Sequence, residues 1–176
     1  MIRLPARWRG AGRRGTVAGL LAAALLGGST ALGATEGSIW RTESFTDMEG
    51  RTYTADQLDG RVVLLDFWAT WCAPCLAELP HLKALQDRHG DDGLLILGIA
   101  LDAIERRDLR SFLLRHGVHW PQIHLRDGTQ SETAQRFGIE AVPATVLVDR
   151  RGRLVARDLR GEALAKVVGT LVQLGE

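Results

Sequence analysis

The chain has 176 residues, 45% of them hydrophobic, and a mean hydropathy of −0.03, which suits one soluble globular domain plus a leader. Its formal charge of +1 is unevenly spread. Residues 1–33 hold five arginines (Arg3, Arg7, Arg9, Arg13, Arg14) and no acid, leaving 17 basic against 21 acidic groups for the remainder. That balance argues against nucleic acid as a partner, because phosphate binding needs a concentrated basic face.

In chain order, the Arg-rich start is followed by the apolar run Val17–Leu26, then by small residues ending in Ala31-Leu32-Gly33. This is the pattern of a cleavable export signal over residues 1–33. An uncleaved membrane anchor over residues 17–34 is the alternative, diluted at its far end by Gly27, Gly28, Ser29 and Thr30. In either case the basic flank stays in the cytoplasm and the rest is exported. The expected address is periplasmic or extracytoplasmic, with membrane contact only through this segment. Such compartments are oxidising. Residues 34–44 read as a short tether and 45–176 as the folded domain.

Phe45 to Tyr53 suggests two short strands around the turn Asp47–Gly50, hence a hairpin, and Ala55 to Gly60 a brief helical turn or loop. Val62 to Phe67 is apolar on both faces except for Asp66, the mark of a central strand covered by helices. From Cys72 to about Arg88, Leu76, Leu79, Leu82 and Leu85 form one helical stripe that ends at His89-Gly90. A second apolar strand spans Leu94 to Leu101, and a helix Glu105 to His116. Val118 to Leu125 reads as an edge strand because Pro121 interrupts it. A short helix over Glu132–Phe137 and a strand over Ala144–Val148 follow. Asp149–Gly152 is a hairpin turn into Leu154–Leu159, and a terminal helix covers Ala163–Leu174. Strands alternating with helices, then a closing hairpin and helix, predict an α/β fold with helices on both faces of one sheet.

Both cysteines of the chain lie in Trp71-Cys72-Ala73-Pro74-Cys75. A structural zinc site needs four ligands, and there is no second C-x-x-C. His116, His119 and His124 straddle a helix end and a proline-broken strand, so no metal site is expected there. A copper-binding thiol chaperone would need a third ligand. A purely structural disulfide is a weak reading, since so short a loop constrains the unfolded chain little. Thiol–disulfide exchange needs only two sulfurs. Cys72 stands where a strand hands over to a helix, and free amides and the positive helix end favour a thiolate. Thiols in C-x-x-C motifs titrate at about 3.5 to 7.5 rather than about 8.5. Cys75, within the first turn, is expected to be the more shielded sulfur that resolves the mixed disulfide. Pro74 presets the helical φ where its missing N–H costs little. Trp71 is a candidate apolar rim for a client, Trp68 a core residue. Asp66, alone in an apolar strand, should have a raised pKa and could take the proton of Cys75; Glu78 is the competing acid. No lysine near the end of the second strand is placed to pair with Asp66. No cofactor is expected beyond the redox-active Cys72–Cys75 pair.

The segment Phe67–Cys75 resembles the active-site segment of the thioredoxin fold. Pro80 is similar to the proline that kinks its active-site helix, Val142-Pro143 to its cis-proline, and Gly161 to the glycine before its last helix. The resemblance implies a cis bond at Pro143 and a client-binding edge formed by Val142 and Pro143. The extra helix and strand between the second strand and Pro143, with the exported leader, resemble the TlpA/ResA-like redoxins. Asp66 corresponds to the buried acid of thioredoxin and Glu78 to the acid near the motif in the TlpA/ResA-like group. What this implies is a reductant of protein disulfides, as in cytochrome c maturation, fed by a membrane thiol donor and expected to be a monomer. A peroxiredoxin-like peroxidase shares the fold, but would carry a lone peroxidatic cysteine behind a proline and a threonine.

Overall fold

The computed structural model describes residues 42–174, so the expected export signal or anchor and most of the expected tether lie outside the described residues. Two short strands, β1 (Ser44–Thr46) and β2 (Thr52–Thr54), pair antiparallel as the expected hairpin, with Phe45 opposite Tyr53. The single helical turn α1 (Ala55–Leu58) leads into β3 (Val62–Trp68), and α2 (Ala73–His89) follows. Next come β4 (Leu94–Ala100), α3 (Arg106–His116), β5 (Gln122–His124), a 3₁₀ turn at Gly128–Gln130 and α4 (Glu132–Arg136). The hairpin β6 (Ala144–Val148) and β7 (Leu154–Arg157) and the helix α5 (Gly161–Gln173) complete the order. The main sheet runs β5-β4-β3-β6-β7. β3 is parallel to β4 and antiparallel to β6, so the sheet is mixed.

Every residue of β3 and β4 is buried, as their unbroken apolar runs require. Alternation along β3 sends Val62, Leu64 and Trp68 to one face, against Leu79 and Leu82 of α2, Leu109 of α3 and Leu164 and Val168 of α5. Val63, Leu65 and Phe67 face the other side, where Phe137 stacks between Phe67 and Phe45 at centroid distances of 5.9 and 6.2 Å. The N-terminal hairpin is thereby part of the core.

Several boundaries differ from expectation. The domain begins before residue 45: Glu43 is buried, accepts from Thr133 Oγ1 at 3.0 Å and pairs with Arg136 at 3.3 Å. The edge strand is only three residues long, because Pro121 stops the ladder on its N-terminal side. The last helix starts at Gly161 rather than Ala163.

The two hairpin turns share one device. In each, an Asp holds the turn: Asp47 Oδ1 accepts from the amides of Glu49 and Arg51, and Asp149 Oδ1 from those of Arg151 and Arg153. Arg51 and Arg153 each add an Nε donor at 2.7 Å to the second oxygen. Burial alone would raise the pKa of Asp149, but the hydrogen bonds from Arg153 and Arg151 outweigh it and hold the carboxyl below its ordinary value. A lowered folded-state pKa gives stability that is full above the ordinary value near 4 and lost on acidification. Asp149→Asn is therefore expected to lower stability by about 1 kcal/mol at pH 7. Denaturant unfolding at a series of pH values should show this deficit shrinking toward zero as pH falls below about 4.

Candidate active site

Cys72 and Cys75 are joined by a disulfide at the N-terminus of α2. Cys72 is the N-cap residue, with extended backbone, and its Sγ accepts from the Cys75 amide at 3.2 Å. Placing Sγ on a free amide of the first helical turn is the geometry that stabilises a thiolate. Pro74 sits in that first turn, and Pro80 lies inside the helix as the sequence indicated. In the disulfide form both cysteines are buried as residues, Cys72 3% and Cys75 4% accessible, and both belong to the core cluster.

The turn that presents Cys72 is held from three sides. The Cys72 amide donates to Ala69 O, and Leu101 N donates to Trp68 O. Asp102, 1% exposed, accepts from the Thr70 amide at 2.6 Å and from Thr70 Oγ1 at 2.9 Å. His124 Nε2 lies 2.9 Å from the Asp102 carbonyl. Asp102 escapes sequence reasoning because its partner is 32 residues away. Its one signal is an acid directly after an apolar strand.

Trp68 and Trp71 divide as expected. Trp68 is buried and its indole donates to Gln122 Oε1 at 3.0 Å, whereas Trp71 is 71% exposed. Gln122 reaches inward only because Gly98 has no side chain; a Cβ there would lie 2.3 Å from the Gln122 amide. Trp71, Leu101, Ala141 and Val142 line a groove of about 560 Å³, with Glu140 and Arg126 at its polar margin. Val142-Pro143 is cis and directly precedes β6. Val142 packs against the apolar cluster that contains both cysteines.

Both candidate acids belong to the site, in different ways. Asp66 lies on the α2 face of β3, 6% exposed. Burial is the main cause raising its pKa to about 7; the negative charge of Glu78 adds to this, and the Arg160 guanidinium opposes it. Glu78 is not a solvated helix residue. Its Oε2 accepts from the Gly161 amide at 2.9 Å, at the head of α5, and His81 Nδ1 is 3.6 Å away. Gly161 has φ +52°, a conformation that favours glycine, and a Cβ there would meet nothing within 4 Å, so the backbone angle rather than space is what calls for glycine. Arg160 is the cation that an inspection of the second strand could not supply.

An accessible aromatic, a cis-proline edge, a helix-capping cysteine pair and a buried acid on β3 mark a thioredoxin-fold thiol–disulfide oxidoreductase. Comparison with known proteins agrees. The sequence profile described as the AhpC/TSA family matches residues 41–157, and the chain belongs to that family. The thiol-disulfide oxidoreductase ResA of Bacillus thuringiensis (strain Al Hakam) is 29% identical over 130 residues, covering 73% of this chain and 72% of that protein. A thiol-disulfide oxidoreductase from Bacteroides fragilis has the same fold, with a TM-score of 0.66 and 31% identity, covering 73% of this chain and 96% of that one. The thioredoxin domain of a Bacteroides vulgatus thiol-disulfide oxidoreductase is similar, with a TM-score of 0.66 and 28% identity over 74% and 92% of the two chains.

The raised pKa of Asp66 makes a stability prediction. The folded protein holds this proton between about 4 and 7 while the unfolded chain releases it, so stability falls as pH rises through that window. Asp66→Asn removes the penalty. The variant should match the parent near pH 4 and exceed it by on the order of 4 kcal/mol above pH 7, measured by denaturant unfolding of the oxidised protein. A constant difference across this range would contradict burial as the cause.

Proposed function

We propose that the protein reduces disulfides of exported client proteins. The observation that carries this is the Cys72–Cys75 pair at the head of α2, beside the groove between Trp71 and Val142. In the dithiol form, Cys72 thiolate attacks one client sulfur, forming a mixed disulfide and displacing the other client sulfur as a thiolate, which takes a proton. Cys75, losing its proton to a base, then attacks Cys72 Sγ and releases the second client thiolate. The client gains two electrons, and the protein is left with the Cys72–Cys75 disulfide.

Asp66 is the proton acceptor in this scheme. A general base works best with a pKa near the operating pH, and about 7 suits that task. Glu78, held on the Gly161 amide, fixes α5 beside the site and adds the negative charge that helps raise Asp66. Val142 and Pro143 offer the edge on which an extended client segment can pair, and Trp71 covers it. An extracytoplasmic location, through export or an anchor at the N-terminus, is part of the proposal. It is supported by the basic and apolar leader. Among the described residues no helix is long and apolar enough to cross a membrane. In an oxidising compartment the disulfide must be re-reduced by a dithiol donor at the membrane. A place in cytochrome c maturation follows only from the likeness to ResA and its TlpA/ResA-like group.

Cys72→Ser is expected to abolish insulin disulfide reduction with dithiothreitol as electron source, measured against the uncatalysed rate. Cys75→Ser should accumulate mixed disulfides with clients, visible on non-reducing gels. Retained activity in Cys72→Ser would overturn the mechanism.

A further inference from the structure

Two consecutive residues at the β7–α5 corner reach three parts of the site. Gly161 gives its amide to Glu78. Arg160 sends Nη2 back 17 residues to the carbonyl of Pro143, and its guanidinium bears on Asp66. Thr145, the β6 residue opposite Asp66, donates to Leu159 O at 2.9 Å and ties the same corner to the sheet.

Arg160 is exposed, and among the described residues no carboxylate lies within ion-pair distance of it. An arginine on a surface without a carboxylate partner gains most by staying hydrated, because its side chain loses rotamer freedom when fixed. Here it is fixed instead on the last carbonyl before β6. We propose that Arg160 is a positioning residue for disulfide exchange, holding the Pro143 carbonyl, and with it the client-binding edge, against the corner whose Gly161 amide holds Glu78 and which faces Asp66. The inference rests on the exchange function above, because only an exchanging protein uses that edge and that acid together.

Two separable effects follow. Holding the carbonyl needs an Nη2 donor at the reach of a guanidinium, whereas favouring ionised Asp66 needs only a positive charge. The charged groups facing Asp66 are Glu78 from α2 and Arg160 from the corner. β4 and β6 place Gly98 and Thr145 opposite it, neither of which titrates, and the thiols at the head of α2 titrate once reduced.

The test compares the full protein with Arg160→Gln and Arg160→Lys. KM and kcat are measured on a synthetic peptide disulfide, and the Asp66 carboxyl is titrated by ¹³C NMR in the oxidised form. Arg160→Gln should raise KM about five-fold, the order expected for one lost hydrogen bond. It should also move the Asp66 titration, and the acidic limb of the pH–rate profile, to higher pH. Arg160→Lys should raise KM similarly while leaving the titration close to that of the parent, a split that general loss of structure would not produce. A folded Arg160→Gln with unchanged KM and unchanged titration overturns the proposal. If Arg160→Gln does not fold, Arg160→Lys decides: a raised KM supports the role and an unchanged one overturns it. If the parent protein exchanges no peptide disulfide, the functional reading itself fails. The NMR titration then still decides whether Arg160 acts on Asp66.

Discussion

Cys72 can cap α2 only because the three residues before it, Ala69 to Trp71, are pinned at the end of the sheet. Four residues of loop would otherwise sample many paths between β3 and the helix, and the sulfur would not stay on the Cys75 amide. Asp102 removes that freedom by taking both the amide and the hydroxyl of Thr70. A buried carboxylate is tolerated there because it receives charge-assisted hydrogen bonds. The helix N-terminus then supplies partial positive charge where the nucleophile forms. Cysteine spacing, helix capping and the buried pin act as a unit, and removing the pin would leave the motif intact but misplaced.

Around that junction the site divides its two acids by environment. Asp66 is enclosed by the sheet and α2, so its charge is disfavoured and it can hold a proton near neutrality. Glu78 sits on the neighbouring helix with its charge spent on the first amide of α5. The negative charge of Glu78 adds to burial in raising the pKa of Asp66. The remaining contributor, the β7–α5 corner, is distant in sequence from both.

Much of this was legible in the residues. The unbroken apolar runs of β3 and β4 placed them centrally, Pro121 placed β5 at an edge, and Asp66 stood out as one acid in a buried strand. Trp68 and Trp71 separated as core and rim. What escaped were contacts between residues far apart. The Glu78–Gly161 bond spans 83 positions and engages the first amide of a helix whose start the sequence pattern places at Ala163. The Asp102–Thr70 pin and the Arg160–Pro143 bond have no local pattern either. The near-equal burial of the two cysteines in the disulfide form was also hidden, because it depends on the cluster that tertiary packing assembles around them.

The most direct test of helix-end activation is the pH dependence of alkylation of each thiol in the reduced protein, read by mass spectrometry under limiting reagent. Cys72 should react first, with a pKa below about 8.5, and Cys75 only at higher pH. A Cys72 pKa at or above about 8.5, or prior reaction of Cys75, would contradict the assignment of nucleophile and resolving thiol.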